Sequence, residues 1–492
     1  MRTARPTLVV AGVVALALLG GGARALAAPP PRPAAAAMPT TPPVAPAPAR
    51  AFEDDPTLQG IIAQALQHRP ELEQARSAVA AGRERVPQAE AMPDPSLSLG
   101  IQNDGFRSIQ VGRMETSWLF VMASQTFPWF GKRGLRGAVA ESQVGQLQAA
   151  QSRVELSVRA EVTRAYLDLV LARDELDLLG KLESLWTQSE GTARARYESG
   201  DGAQSDLLRA QLERSRLRQR RWLLEAEERR RLDVLDSLRG EPPGAPIATD
   251  MHLMDLADPI VPEIERAIAD ARSQSPEVKW TALQEQESRG AIDLARRDRF
   301  PDITVTAGVM PRGGLEPMWQ AGMSVNLPVW AASKQRRAIG EREALAHGAA
   351  AAHESVAHLL ARRVGERIRV LGALVQSNRL YRSGILIQSE ATVASTLAQY
   401  RVGRVPFSAV LEALAAYVSD VEGFLQSIAE TQRVATAQAE ISLADPGPAA
   451  GSGMGSPAMS GGAGASAGAA GRGAVGAPAG AGDSGGSGMS RM

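Results

Sequence analysis

The residue types that usually carry chemistry are present but badly spaced for it. His347, His353 and His358 recur at intervals of six and five. Two ligands share a helix face at i, i+4, so these imidazoles do not form a metal pair. The run Arg214, Arg216, Arg218, Arg220, Arg221 and Arg229, Arg230, Arg231 is interleaved with Glu213, Glu225, Glu227 and Glu228. That pattern reads as a solvated coiled-coil face rather than a nucleic-acid-binding patch. No Ser/His/Asp array, glycine-rich phosphate loop or paired-carboxylate motif is present. Cysteine is absent, which excludes disulfides, thiolate metal sites, a nucleophilic thiol and a lipid-modified N-terminal cysteine. The sequence therefore predicts no enzyme, no cofactor and no metal site.

Charge and composition narrow the class further. Lys plus Arg and Asp plus Glu stand at 54 each, so no net field gathers nucleic acid. Aromatics are only 4% of the chain, while Ala, Leu, Arg and Glu are frequent, a composition suited to long helices. Residues 1–27 read as a secretory signal: Arg2 and Arg5, an apolar run over 8–19, then Ala25-Leu26-Ala27. Gly20, Gly21, Gly22 and Arg24 cut that run short of a spanning helix. A Pro/Ala-rich leader is expected over 28–55, and a disordered Gly/Ala/Ser-rich tail over 446–492.

Between them one unit is written twice, over 56–250 and 251–445. His68-Arg69-Pro70-Glu71-Leu72 faces Gln274-Ser275-Pro276-Glu277-Val278, and Ala91-Met92-Pro93-Asp94-Pro95 faces Arg299-Phe300-Pro301-Asp302-Ile303. Phe127-Pro128-Trp129-Phe130 faces Leu327-Pro328-Val329-Trp330, and Tyr197-x-x-Gly200 faces Tyr400-x-x-Gly403. The offsets, 206, 208, 200 and 203, keep their order with little drift, the mark of a duplicated module.

Periodicity changes in the same sequence in each half. A broken helical pattern over 58–91 and 262–299 gives way to spacing of two at Leu97, Leu99, Ile101 and at Ile303, Val305, Ala307, Val309. Turn residues and a second strand follow, so each half holds one β-hairpin. A proline-free helical pattern then runs over 131–197, with an apolar stripe through Val144, Leu147, Val154, Val158, Val162, Leu169 and Leu176. At 1.5 Å per residue this is a rod of about 100 Å, too long for a compact domain. Gly200 and Gly403 serve as the hairpin-tip turns, and a return helix over 205–238 completes the first half.

Four strands cannot close a barrel, and open edges are costly in lipid, so several chains must pool their strands. Trp118, Phe120, Phe127, Trp129, Phe130, Trp319 and Trp330 are expected at one end of the strands, as the aromatic girdle of a lipid boundary. Lys132, Arg133, Arg136, Lys334, Arg336 and Arg337 follow directly, where anionic headgroups would lie.

The duplicated helix–hairpin–helix layout, the Gln125-Thr126-Phe127-Pro128-Trp129-Phe130-Gly131-Lys132-Arg133 segment and the Tyr-x-x-Gly turns resemble the outer-membrane efflux proteins, the TolC family. The segment around Phe127 is similar to members of the heavy-metal efflux branch. The resemblance implies a mainly α protein with a membrane β-barrel portion, long coiled-coil helices and a homotrimeric α/β-barrel channel. It implies location in the outer membrane, reaching into the periplasm and contacting outer-membrane lipid. Its implied partners are a periplasmic adaptor and an inner-membrane RND-type or ABC transporter, which would pass drugs or metal ions through a passive duct. It also implies a periplasmic gate, in which Asp206 and Tyr400 match an acidic residue and a tyrosine, Arg404 stands one place from the basic partner, and Glu412 matches an acidic entrance ring. Residue by residue, Asp206 also reads as a helix cap, Tyr400 as a packing residue and Glu412 as a solvated one. The alternatives are a periplasmic adaptor, which would carry one helical hairpin rather than two, and the outer-membrane component of a type I secretion system.

Overall fold

Proline and short polar side chains decide where the helices begin. In the computed structural model, which describes residues 50–444, helix α1 (Pro56–His68) starts at Pro56, and the Asp55 side chain caps it by accepting from Thr57 N at 3.0 Å. The signal at 1–27, most of the leader and the tail lie outside the described residues. The end of the leader belongs to the fold: Phe52 sits buried in a short 3-10 turn, its ring 5.9 Å from that of Tyr166.

Arg69-Pro70 breaks the chain into α2 (Pro70–Glu90), and strands β1 (Ser96–Gln102) and β2 (Trp118–Phe127) follow. Helix α3 (Lys132–Glu198) runs 67 residues without interruption, about 100 Å at the standard rise, and α4 (Gln204–Arg239) returns along it. The same order then recurs: α5 (Ile264–Gln274), α6 (Pro276–Arg297), β3 (Ile303–Arg312), β4 (Leu315–Val325), α7 (Gln335–Leu380), α8 (Leu386–Arg401) and α9 (Phe407–Ala439).

Neither α2 nor α4 covers α3 alone. Helix α2 lies on its first part, where Gly82 makes room for Leu147 and Val144, and Gly137 makes room for Glu90. Helix α4 lies on its later part through Arg231–Asp168 (2.5 Å), Arg173–Glu228 (2.9 Å) and Arg214–Glu190 (2.5 Å). Their junction falls where Gly240, at the end of α4, meets His68 at the end of α1. The largest apolar cluster is centred at this level, with Tyr166, Leu167, Leu169 and Leu182 of α3 packed with Phe424, Leu425 and Ile428 of α9. Tyr166 donates its hydroxyl to the Asp55 carboxylate, tying the start of α1 to the rod.

The second rod departs from the first in one respect. Between α7 and α8 a single π turn, Tyr381–Ile385, widens the helix. Tyr381 stacks on Phe424 at 5.5 Å, and its hydroxyl lies where a Cβ on Gly423 would come within 3.1 Å. Arg382 donates to Asp258 Oδ1 and to the Leu256 carbonyl, each at 2.9 Å, and so holds the segment between the two halves.

The strands form one antiparallel sheet in the order β1-β2-β3-β4, the two hairpins joined through β2 and β3. Register puts Leu99, Val121, Val309 and Trp319 in one row, and Ala123, Ala307 and Ala321 in the next. This face is apolar apart from Gln125 and is exposed at Leu97, Leu99, Val305 and Met323. The other face carries Ser96, Ser124, Thr126, Thr304 and Ser324, with Ser96–Ser124 and Thr126–Thr304 hydroxyl pairs at 2.7 and 2.9 Å. Among the described residues the outer edges of β1 and β4 have no strand partner.

The aromatics occupy two levels rather than the single end expected. Trp118 and Phe120 open β2, and Trp319 pairs beside Val309, in the half of the sheet away from the rods. Phe127, Trp129, Phe130 and Trp330 lie at the rod end, where Trp129 stacks on Phe300 at 5.4 Å and 10°. Beneath them the Lys132 side chain is only 5% exposed, with Nζ 2.8 Å from both Asp302 Oδ1 and the Phe300 carbonyl and 3.5 Å from Asp298. Asp302 also accepts from Trp129 N at 2.9 Å, so one carboxylate and one ammonium join both halves where strands become rods. Lys132→Met removes the cation and leaves a half-buried carboxylate. Its expected cost is about 2 kcal/mol, read from denaturant unfolding of the purified protein in detergent. Asp302→Asn should cost less, because the amide oxygen still accepts from Trp129.

Candidate functional site at the hairpin tips

The ends of α3 and α8 are closed by the same backbone device. Gly200 and Gly403 take φ of +82° and +73°. Asp201 N donates to the Arg196 carbonyl and Arg404 N to the Gln399 carbonyl, both at 2.9 Å. Gly200 N and Gly403 N donate to the Tyr197 and Tyr400 carbonyls at 3.1 and 3.0 Å. This cap needs a left-handed residue, which costs a side chain about 1–2 kcal/mol, so both tips use glycine.

Side chains then distinguish two tips with the same backbone. Tyr197 is 44% exposed, whereas Tyr400, in the equivalent place, is 1% exposed with its ring 5.3 Å from that of Phe407. The Arg196 guanidinium covers Tyr400, its Cζ 4.9 Å from the ring centroid. Arg196 Nη1 donates to the Tyr400 carbonyl at 2.9 Å and Nη2 to the Asp201 carbonyl at 3.0 Å. One cation thus spans both hairpin tips, satisfying a carbonyl at the end of α8, where the helix dipole favours positive charge, and another in the turn after α3.

Asp206 stands in the first turn of α4, but the N-cap is Ala203, with no side-chain capping bond. The cap reading of Asp206 is therefore set aside. Its Oδ2 lies 3.5 Å from the Tyr400 hydroxyl, a long and weak hydrogen bond. Burial, then the Asp206 charge, push the Tyr400 phenol above its ordinary range against the opposing effect of Arg196. The phenol accordingly stays protonated and donates.

The other expected residues are not drawn into this cluster. Arg404 is exposed, and no ion pair joins it to Asp206 among the described residues. Glu412 is exposed on α9. The sequence offered only Arg404, one place from the expected basic partner, and Arg196 was missed. The signal was available: Arg196 precedes Tyr197, while Gln399 holds the corresponding place before Tyr400. Two turns away, Arg214 holds the Glu190 carboxyl below the usual carboxylate range, fastening α3 to α4 above the tip. At the opposite end of the rods, Phe127, Phe130 and Trp330 are exposed and Trp129 is half-buried.

Long paired rods carry a small sheet with one exposed apolar face, a fold shared with solved outer-membrane channels. Residues 61–241 match the family described as outer membrane efflux protein. The chain is 26% identical over 282 residues to the protein CyaE of Bordetella pertussis, covering 54% of this chain and 56% of CyaE. It thus spans little more than half of that relative's length. To the toluene efflux pump outer membrane protein TtgF of Pseudomonas putida it is 22% identical over 360 residues, covering 68% of this chain and 74% of TtgF. Among solved structures, CusC, described in terms of transmembrane channel formation, superposes with a TM-score of 0.68 at 17% identity, over 80% of this chain and 93% of CusC. By sequence the resemblance to outer membrane efflux proteins covers residues 61–241, and by fold the chain resembles CusC over most of its length. No helix among the described residues is long and apolar enough to cross a membrane.

Arg196→Ala removes both carbonyl contacts and the ring contact. Hydrogen exchange of the amides at 401–405 should accelerate at least tenfold, about 1.4 kcal/mol of local stability, while exchange in the sheet stays unchanged. Arg196→Lys should restore only part of the protection, because an ammonium cannot reproduce the forked contact.

Proposed function

We propose that three copies of this chain form the outer-membrane duct of a tripartite export system. The observation that carries the reading is the four-stranded sheet, apolar and exposed on one face and open at both edges, seated on rods of about 100 Å. A lone sheet of this kind leaves backbone groups unpaired in lipid, and three copies would pool twelve strands into a closed wall. Two successive modules, residues 56–250 and 251–445, would contribute equivalent rods to a continuous periplasmic tunnel. The aromatics at the rod end, Phe127, Trp129, Phe130 and Trp330, would mark the periplasmic lipid boundary, with the polar sheet face lining the lumen.

In this reading the hairpin tips form the gate. Tyr400, Asp206 and Arg196 hold the second hairpin against the first in the resting state, and Glu412 and Arg404 stay exposed for contacts outside the chain. A periplasmic adaptor would bias this two-state element, and an RND-type or ABC pump in the inner membrane would supply drugs, metal ions or other small cargo. Passage itself is downhill and uses no bound cofactor. TtgF is named for toluene efflux, which supports small-molecule cargo over folded protein.

The test is electrical. Purified protein inserted into planar bilayers should form low-conductance channels, and the combined Tyr400→Phe and Asp206→Ala variant should conduct several-fold more at equal insertion. Arg196→Ala added to that pair should raise conductance further. Unchanged conductance in both variants would sink the gate. Protein extracted by salt without detergent, and monomeric, would sink the duct.

A further inference from the structure

We propose that Asp174, Asp177 and His252 form a site for a zinc-like divalent transition-metal ion, at the point where the segment between the two halves crosses α3. This goes beyond the reading of the chain as a duct, and nothing in the gate depends on it. Asp174 and Asp177 lie three apart, on one face of α3, while His252 comes from the connecting segment just before the 3-10 turn Leu253–Asp255. One ligand atom from each residue falls within 4.8 Å of the other two. His252 Nδ1 is 2.7 Å from Asp174 Oδ1 and 3.9 Å from Asp177 Oδ2.

Those separations bracket what a metal requires. Zinc bonds of 2.0–2.2 Å to nitrogen and oxygen put neighbouring tetrahedral ligands roughly 3.3 Å apart. Insertion would therefore part Asp174 from His252 by about half an ångström and draw Asp177 in by a similar amount. Asp177 is free to make that move: it is 63% exposed, and its only close polar neighbour among the described contacts is His252. Asp174 is not free, and this suits it to anchor the site. It is 7% exposed, and its second oxygen accepts from Leu253 N at 2.7 Å. A backbone donor that fixes one carboxylate oxygen and aims the other is the outer-shell support that metal ligands commonly have.

The fourth position opens onto a cavity of about 370 Å³ whose wall includes Met254, Asp255 and Lys181. Three carboxylates there outweigh the single lysine, so a cation is favoured. An imidazole in the ligand set selects zinc, nickel or cobalt over magnesium or calcium, which prefer oxygen alone. Bound metal would pin the connecting segment at 251–258 to the rod.

Calorimetric titration of zinc chloride into the full-length, tag-free protein in detergent tests the site, with a parallel reading of melting temperature. One zinc per chain is expected, with a rise in melting temperature that magnesium does not reproduce. Asp177→Asn should lower zinc affinity at least tenfold yet leave the metal-free melting temperature where it is, since its carboxylate holds nothing else in place. His252→Ala should abolish uptake, and His347→Ala should leave it intact. Absence of uptake by the wild-type protein, or uptake at wild-type affinity in both Asp177→Asn and His252→Ala, overturns the assignment.

Discussion

An antiparallel sheet of four strands leaves a row of backbone donors and acceptors along each outer edge, and in lipid nothing but another strand can satisfy them. That constraint bears on every other part of this chain. In the proposed trimer it makes the apolar face of β1 to β4 useful only in company, and it would require the rods beneath to hold neighbouring sheets at a common height. The bond between Lys132 and Asp302 is where this requirement meets the covalent chain. It ties the start of α3 to the start of β3, so that the two hairpins of one chain present a single register to whatever closes their edges.

Much of this was legible in the sequence because long-range order was written in local periodicity. A proline-free run from Gly131 to Tyr197 has no structure available to it other than one long helix, and α3 ends within a residue of that expectation. The strands were visible in the alternation from Leu97 to Ile101 and from Ile303 to Val309, and the tips in Gly200 and Gly403, where only glycine accepts the backbone angle cheaply. What escaped was everything decided between elements distant in the chain. The grouping of aromatics at one end failed because position along a hairpin depends on pairing: Trp118 and Phe127 are near in sequence but lie at opposite ends of β2. Arg196 escaped because its importance lies in a partner about two hundred residues away, which no local spacing reveals.

Duplication supplies two copies of each element, and the structure shows how far they have diverged. The tips share a hydrogen-bonding pattern to within a tenth of an ångström, yet one tyrosine is open to solvent and the other is enclosed by Phe407 and Arg196. Backbone geometry set by glycine persists, while side-chain environment follows the neighbours. In the proposed gate, an asymmetric pair built from a symmetric plan would let one hairpin serve as a fixed wall and the other as the part that is held or released.

The π turn at Tyr381–Ile385 bears on that asymmetry. Each residue of an α-helix advances the side-chain direction by about 100°, so one extra residue accommodated in a wide turn rotates everything beyond it by nearly a third of a revolution. The second rod below Tyr381 is therefore indexed differently from α3, and residues that match in sequence no longer point at matching neighbours. Angular phase, set once at mid-rod and carried along α8 to Tyr400, gives two helices of common ancestry different inner surfaces.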